Sequence, residues 1–310
     1  MNNSSQNALI LSDGKPGHFH QSIALCQHLG LVYEICEVEI PTSFQRMLSH
    51  IFDLLGIYSN STFRTKTPIP EADIIVSAGS RTYYANKTIA RKLKSKSVAI
   101  LAPRGYRWNF DALLVPEFDN PLKRGHIISL PINISYAEKE LIAQNVEEFQ
   151  SRVVLQSENS SKVGILLGGD NKAGKMDPTK ISAQLDQVQA NHMDSEIWVT
   201  TSRRTPEAVE NDLKSRNFAF LHLFSEEPYN PIPAFIHLCD HLYVSTDSTS
   251  MLSECVSSGN AKISLIQTAC STKHHAMVEG LKRRNLIDTN QKINIFDSIQ
   301  PLHKLLNLNA

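Results

Sequence analysis

At 310 residues the chain is about twice a common domain length, and its 31 basic and 31 acidic side chains cancel. A neutral balance with pI near 7.2 argues against a dedicated nucleic-acid binder, and 41 % apolar residues argue against wholesale disorder. The longest apolar runs, such as 163–167 and 263–266, are far too short to cross a bilayer.

From the N-terminus, the first eight residues carry neither a basic region nor an apolar one, so no secretory or mitochondrial leader is expected. Strands are predicted over 8–12, 32–40, 73–78, 98–102, 112–115 and 126–130, with helices near 20–30, 43–55, 81–95 and 136–150. The second half repeats the scheme: strands over 162–167, 196–200, 218–223, 242–245 and 261–266. Its helices fall near 177–192, 205–216, 231–239, 249–258 and 274–285, with a terminal one near 297–308. Runs such as Ile74-Ile75-Val76 and Gly164-Ile165-Leu166-Leu167 are continuously apolar, the pattern of parallel strands buried on both faces. The expected fold is therefore α/β, two Rossmann-like domains facing across a cleft. Domain limits of 1–155 and 162–310 follow from the polar stretch Gln156-Ser157-Glu158-Asn159-Ser160-Ser161, with the last helix free to pack back on the first domain. Cys26, Cys36, Cys239, Cys255 and Cys270 form no CxxC pair and read as reduced thiols of a cytosolic protein rather than zinc ligands.

Chemistry-bearing residues gather at predicted strand ends, where open parallel sheets bind ligands. Ser12-Asp13-Gly14-Lys15-Pro16-Gly17-His18 follows the first strand and opens a helix. Gly14 and Gly17 permit a tight turn beside an anion-favouring helix start, and His18 suits a general base; a plain turn with a surface histidine accounts for the same residues. Gly168-Gly169-Asp170-Asn171-Lys172-Ala173-Gly174-Lys175-Met176 resembles a phosphate-binding loop until Met176, where a magnesium-ligating Ser or Thr would be needed. A glycine turn packing on a nucleotide escapes that objection. In Thr201-Ser202-Arg203-Arg204-Thr205-Pro206, helix capping explains the last two residues, and Arg203 is a candidate phosphate clamp, or else a solvated cation. In Ser245-Thr246-Asp247-Ser248-Thr249-Ser250-Met251, followed by Ser253-Glu254, hydroxyls and amides at a helix start suit a diphosphate. Glu254, deeper in the helix, suits the two ribose hydroxyls, although a capped helix with a solvated glutamate is the plain reading.

Taken in order with Ser77-Ala78-Gly79-Ser80-Arg81 and Pro103-Arg104, these motifs resemble the mitochondrial fission (elongated mitochondria) family across about residues 8 to 288. The resemblance implies a GT-B glycosyltransferase-like fold with a nucleotide-sugar donor. It places Glu254 on the ribose, Asp247, Ser248, Ser250 and Met251 at the phosphate turn, and Gly168, Gly169, Lys172, Ser202 and Arg203 around the nucleotide. His18, with Asp13, takes the base position. No Asp-x-Asp motif occurs at these loops, so the transfer is expected to need neither metal nor cofactor. Between Arg81 and Arg107 the chain carries eight basic residues and no acidic one; Arg81 and Arg104 then suit an anionic lipid or membrane-surface acceptor. A cytoplasmic enzyme, peripheral to a membrane, is the first reading. A non-catalytic membrane adaptor on the same fold is the second, and a nucleoside triphosphatase the third.

Overall fold

The computed structural model describes residues 6–135, 139–153, 160–171 and 174–308. It divides into two compact units, one of Met1–Tyr136 with Ile295–Ala310, the other of Ala137–Asn294. Most of the expected boundary stretch around 156–161, and Lys172, lie outside the described residues.

The first unit is built on a seven-stranded sheet. Its strands are β1 (Asn7–Ser12), β2 (Val32–Glu39), β3 (Arg64–Thr65), β4 (Ile74–Ala78), β5 (Lys96–Ile100), β6 (Ala112–Pro116) and β7 (Ile127–Leu130), in the order β3-β2-β1-β4-β5-β6-β7. Every pairing is parallel except β2 with the short β3. β1, β4 and β6 are buried almost throughout, which is why their sequences run apolar instead of alternating. Helices α1 (Pro16–His28), α2 (Ser43–Leu55) and α3 (Tyr83–Leu93) accompany the sheet.

The second unit begins its described part with α4 (Lys139–Arg152). Phe149 on α4 is fully buried, with ring centroids 4.8 Å from Trp198, 5.0 Å from Phe220 and 5.4 Å from Phe235. Tilted and edge-on pairs of this kind add about 0.5–1.5 kcal/mol each beyond area burial. The sheet has five parallel strands, β8 (Lys162–Leu166), β9 (Glu196–Thr200), β10 (Phe220–His222), β11 (His241–Ser245) and β12 (Lys262–Ile266), in the order β10-β9-β8-β11-β12. Helices α5 (Pro178–Asn191), α6 (Glu207–Lys214), α7 (Ile232–Leu238), α8 (Thr249–Ser257) and α9 (Thr272–Arg283) alternate with them. The chain then returns to the first unit, where α10 (Ile295–Ile299) and α11 (Pro301–Leu306) close over β7 and β6 and bury Ile295, Ile299, Leu302 and Leu306.

Each sheet has one place where the chain leaves a strand in one direction and later continues on its other side. In the first unit this is between β1 and β4; in the second it is between β8 and β11. Loops leaving the carboxyl ends of such neighbours diverge and leave a crevice. The two groups of candidate residues lie at these two points.

Candidate functional site

In the first unit, the turn after β1 is organised by its own side chains. Ser12 Oγ accepts the Gly14 N–H at 3.1 Å, and Asp13 Oδ1 accepts the Lys15 N–H at 3.3 Å. Gly14 has φ +76°, a left-handed conformation that favours glycine, and Pro16 then opens α1. His18 Nδ1 lies 3.1 Å and 3.2 Å from the two oxygens of Asp13, whose side chain is 2 % exposed against 24 % for the imidazole. With Asp13 ionised, the proton sits on Nδ1 and donates to it, leaving the Nε2 lone pair available. The ring rests on Gly79, at φ +85° just beyond β4; a Cβ there would stand 2.3 Å from His18 Cε1. Gly79 thus fixes the imidazole at the β1/β4 crevice.

Gly17, Arg81 and Arg104 share that edge. Gly17 has open space around it, and both arginines are exposed and form no ion pair among the described residues. Arg104 follows Leu101, a bulky residue held at φ +80° while Tyr83 Oη donates to its carbonyl at 2.7 Å. A bulky side chain in that left-handed conformation is strained, and such strain concentrates where a loop has a task.

In the second unit the β8/β11 crevice is more closely built. Gly168 N–H donates to Ser245 Oγ at 2.7 Å, and Gly169 N–H donates to Asp247 Oδ2 at 2.7 Å. Both glycines are required by contact: a Cβ on Gly168 would lie 2.1 Å from Asp247 Oδ2, and one on Gly169 2.0 Å from the Arg204 carbonyl oxygen. Ser202 Oγ donates to the Gly168 carbonyl at 2.7 Å, and Thr205 Oγ1 donates to the same oxygen. Three loops, after β8, β9 and β11, are therefore tied into one scaffold. Ser248 caps α8 through Met251 N–H at 3.4 Å, leaving other first-turn amides without helical partners.

These loops, with the start of α9, surround a concave site of about 400 Å³ lined by Asn171, Arg204, Asp247, Ser248, Thr249, Ser250 and His274. Arg204 is the arginine of its pair that enters: Nη2 lies 3.6 Å from Asp247 Oδ2, and Nη1 reaches the Gly169 and Asp170 carbonyls at 3.4 Å and 3.3 Å. Arg203 is exposed and forms no ion pair among the described residues. His274, which the sequence reading overlooked, is oriented by Ser271, whose Oγ lies 2.8 Å from Nδ1 and caps α9. Burial lowers its pKa, Arg204 and Lys273 push the same way, and Asp247 opposes them.

Met251 and Glu254 follow along α8, outside that lining. Glu254 keeps some exposed surface, but its carboxyl is deep enough for desolvation to raise its pKa to about 7. No described side chain or backbone group donates a hydrogen bond to it. A carboxylate kept in such a place lowers stability unless something else donates to it.

Among the described residues, those flanking this stretch, Gly169–Asn171 and Gly174–Pro178, do not have the arrangement of a triphosphate-binding loop. Asn171 and Gly174 pair with each other, the Asn171 N–H donating at 3.0 Å and the Gly174 N–H at 3.3 Å. Met176 is buried in the core, Lys175 is exposed, and α5 starts only at Pro178, capped by Asp177. A Walker loop needs its helix to begin at the Lys–Ser/Thr step. Among the described residues, no three His, Cys, Asp or Glu side chains are grouped to hold a metal ion. Nor is any helix among them long and apolar enough to cross a membrane.

Comparison with known proteins agrees with this architecture. The chain superposes on a co-structure of MnaA with UDP from S. aureus with TM-score 0.50 and 10 % identity, covering 98 % of both chains. The UDP-GlcNAc 2-epimerase from Neisseria meningitidis bound to UDP-GlcNAc gives 0.50 and 10 %, covering 97 % of this chain and 99 % of that one. A putative UDP-N-acetylglucosamine 2-epimerase from Listeria monocytogenes gives 0.50 and 9 %, covering 97 % and 95 %. At these identities the likeness is one of fold, and the fold is α/β with two parallel-sheet domains of the GT-B type. No curated protein matches the sequence. The family model described as mitochondrial fission ELM1, however, matches residues 16–305, nearly the whole chain. The chain belongs to the mitochondrial fission ELM1 family.

Proposed function

We propose that the protein binds a nucleotide-diphosphate sugar at the β8/β11 crevice and transfers the sugar to an acceptor hydroxyl, as a metal-independent glycosyltransferase. The observation that carries this reading is the combination of Arg204 and the open first turn of α8 at one crevice, with Glu254 further along the same helix, outside that lining. Diphosphate oxygens suit the α8 amides and the Arg204 guanidinium. Ribose hydroxyls suit Glu254, because they supply the donors that its carboxylate lacks. The structural neighbours named above include proteins bound to UDP and UDP-GlcNAc, which supports a nucleotide sugar as the ligand class.

In the reaction, His18 Nε2 takes the proton of the acceptor hydroxyl while the oxygen attacks the anomeric carbon. Asp13 holds the tautomer and stabilises the imidazolium that forms. The bond to the diphosphate breaks, and its growing negative charge is met by Arg204 and the α8 dipole. Lys172 is a further candidate on the phosphate side, and Arg81 and Arg104 on the acceptor side. A thermal-shift screen against UDP-, GDP-, CMP- and dTDP-sugars tests the reading. One nucleotide class should raise the melting temperature, and Glu254→Ala should abolish that rise. If no nucleotide acts, the non-catalytic adaptor reading replaces this one.

A further inference from the structure

Helix α2 turns Phe52 to the core but leaves most of its large apolar side chains outside. Its two fully buried side chains are Ser49 and Asp53, both polar. Phe44, Met47, Ile51, Leu54 and Leu55 are instead 42–64 % exposed. Their spacing of i, i+3, i+7, i+10 and i+11 puts them on one side of the helix, an unbroken apolar stripe turned to solvent.

The cause is a charge network beneath it. Asp53 Oδ1 accepts from Lys87 Nζ at 3.0 Å, and Arg107 Nε stands 2.8 Å from Oδ2, with all three side chains at most 4 % exposed. Arg107 Nη2 also donates to the Ser49 carbonyl at 3.1 Å. Rolling α2 to hide the stripe would strip Asp53 from two buried cations, so the fold locks the apolar face outward. Tyr106, itself exposed, donates its hydroxyl to the His50 carbonyl and joins the same surface.

At the end of α2 the surface changes character. Gly56, Tyr58, Asn60, Thr88, Arg91 and Lys92 line a concavity of about 510 Å³. The Arg91 guanidinium lies 4.9 Å over the Tyr58 ring, and neither Arg91 nor Lys92 forms an ion pair among the described residues. Arg46, on α2, is also exposed and forms no ion pair among the described residues. An apolar stripe bordered by uncompensated cations and a basic recess has the chemistry of a bilayer interface with anionic headgroups. A protein partner of ordinary apolar character would not need the basic recess.

We infer that α2 is a membrane-docking helix: Phe44, Met47, Ile51, Leu54 and Leu55 enter the acyl boundary of an anionic bilayer while Arg91 and Lys92 hold a lipid phosphate. This goes beyond the nucleotide reading and does not depend on it. The test is co-sedimentation of the full chain with vesicles of phosphatidylcholine alone, or with about a third phosphatidylglycerol. The chain should partition onto the anionic vesicles only, and less as salt rises. Phe44→Ser with Ile51→Ser should lower the partition coefficient at least about tenfold, with the melting temperature unchanged because both side chains are exposed. Arg91→Gln with Lys92→Gln should lower it about 25-fold, at about fivefold per cation. Equal binding to neutral vesicles, or wild-type partition in either double variant, overturns the inference. So does self-association that depends on Phe44 and Ile51 without vesicle binding, since the stripe would then be a contact between copies.

Discussion

Glu254→Gln separates what the α8 carboxylate does for stability from what it does for binding. Desolvation raises this group from 4.5 to about 7, and no described group donates to it. A native pKa above the unfolded one means that the folded chain keeps its proton longer. The contribution is therefore fully favourable below about pH 4.5 and is lost as pH rises through about 7. At about 1.4 kcal/mol per pH unit, that interval corresponds to about 3 kcal/mol of lost stability at pH 8. Glutamine has the same shape and no charge. The variant should match the wild type near pH 4.5 and exceed it by about 3 kcal/mol at pH 8, in denaturant unfolding monitored by circular dichroism across that range. At pH 8 it should also lose affinity for a nucleotide sugar, the usual exchange of function for stability at a binding group. A variant displaced equally at both pH values, or less stable at pH 8, would refute the desolvation argument.

Gly169→Ala pushes a methyl against the Arg204 carbonyl, backbone against which nothing can relax cheaply; a loss of about 3 kcal/mol is expected from thermal unfolding. Asp53→Ala leaves Lys87 and Arg107 buried without their counter-ion and should cost about 3–5 kcal/mol in urea unfolding. Asp13→Asn keeps a partner for His18 but not the charge that fixes its tautomer. Under the proposed mechanism it should lower kcat about 10²–10⁴-fold while leaving nucleotide affinity unchanged, as steady-state kinetics beside a binding titration would show.

The alternation of apolar runs and helical periods was enough to place eleven strands, because parallel strands buried on both faces leave uninterrupted Ile, Val and Leu. β3 escaped it: Arg64–Thr65 is a two-residue antiparallel edge, too short for any periodicity. The terminal helix is two helices, since Pro301 starts a new one at its first position after Gln300. Turn residues at strand ends were legible because glycines and hydroxyls gather where the backbone turns tightly. Long-range choices were not legible. Nothing local distinguishes Arg203 from Arg204, yet only the second can reach back to the Gly169 carbonyl and Asp247. Gly79 under the His18 ring depends on β1 and β4 being neighbours, and His274 depends on β12 lying beside β11. The helix at 43–55 was plain from its spacing. Which side of it faces solvent is decided by Lys87 and Arg107, more than 30 residues further on.

The most direct measurement is a calorimetric titration of UDP into the wild type and into Arg204→Ala. One site per chain is expected in the wild type, with an affinity at least about tenfold weaker in the variant, since a charge-assisted contact to phosphate contributes about 1.5–3 kcal/mol. Binding of neither UDP nor any other nucleoside diphosphate, or binding of ATP alone that Lys175→Ala abolishes, would contradict a nucleotide-sugar site at the β8/β11 crevice.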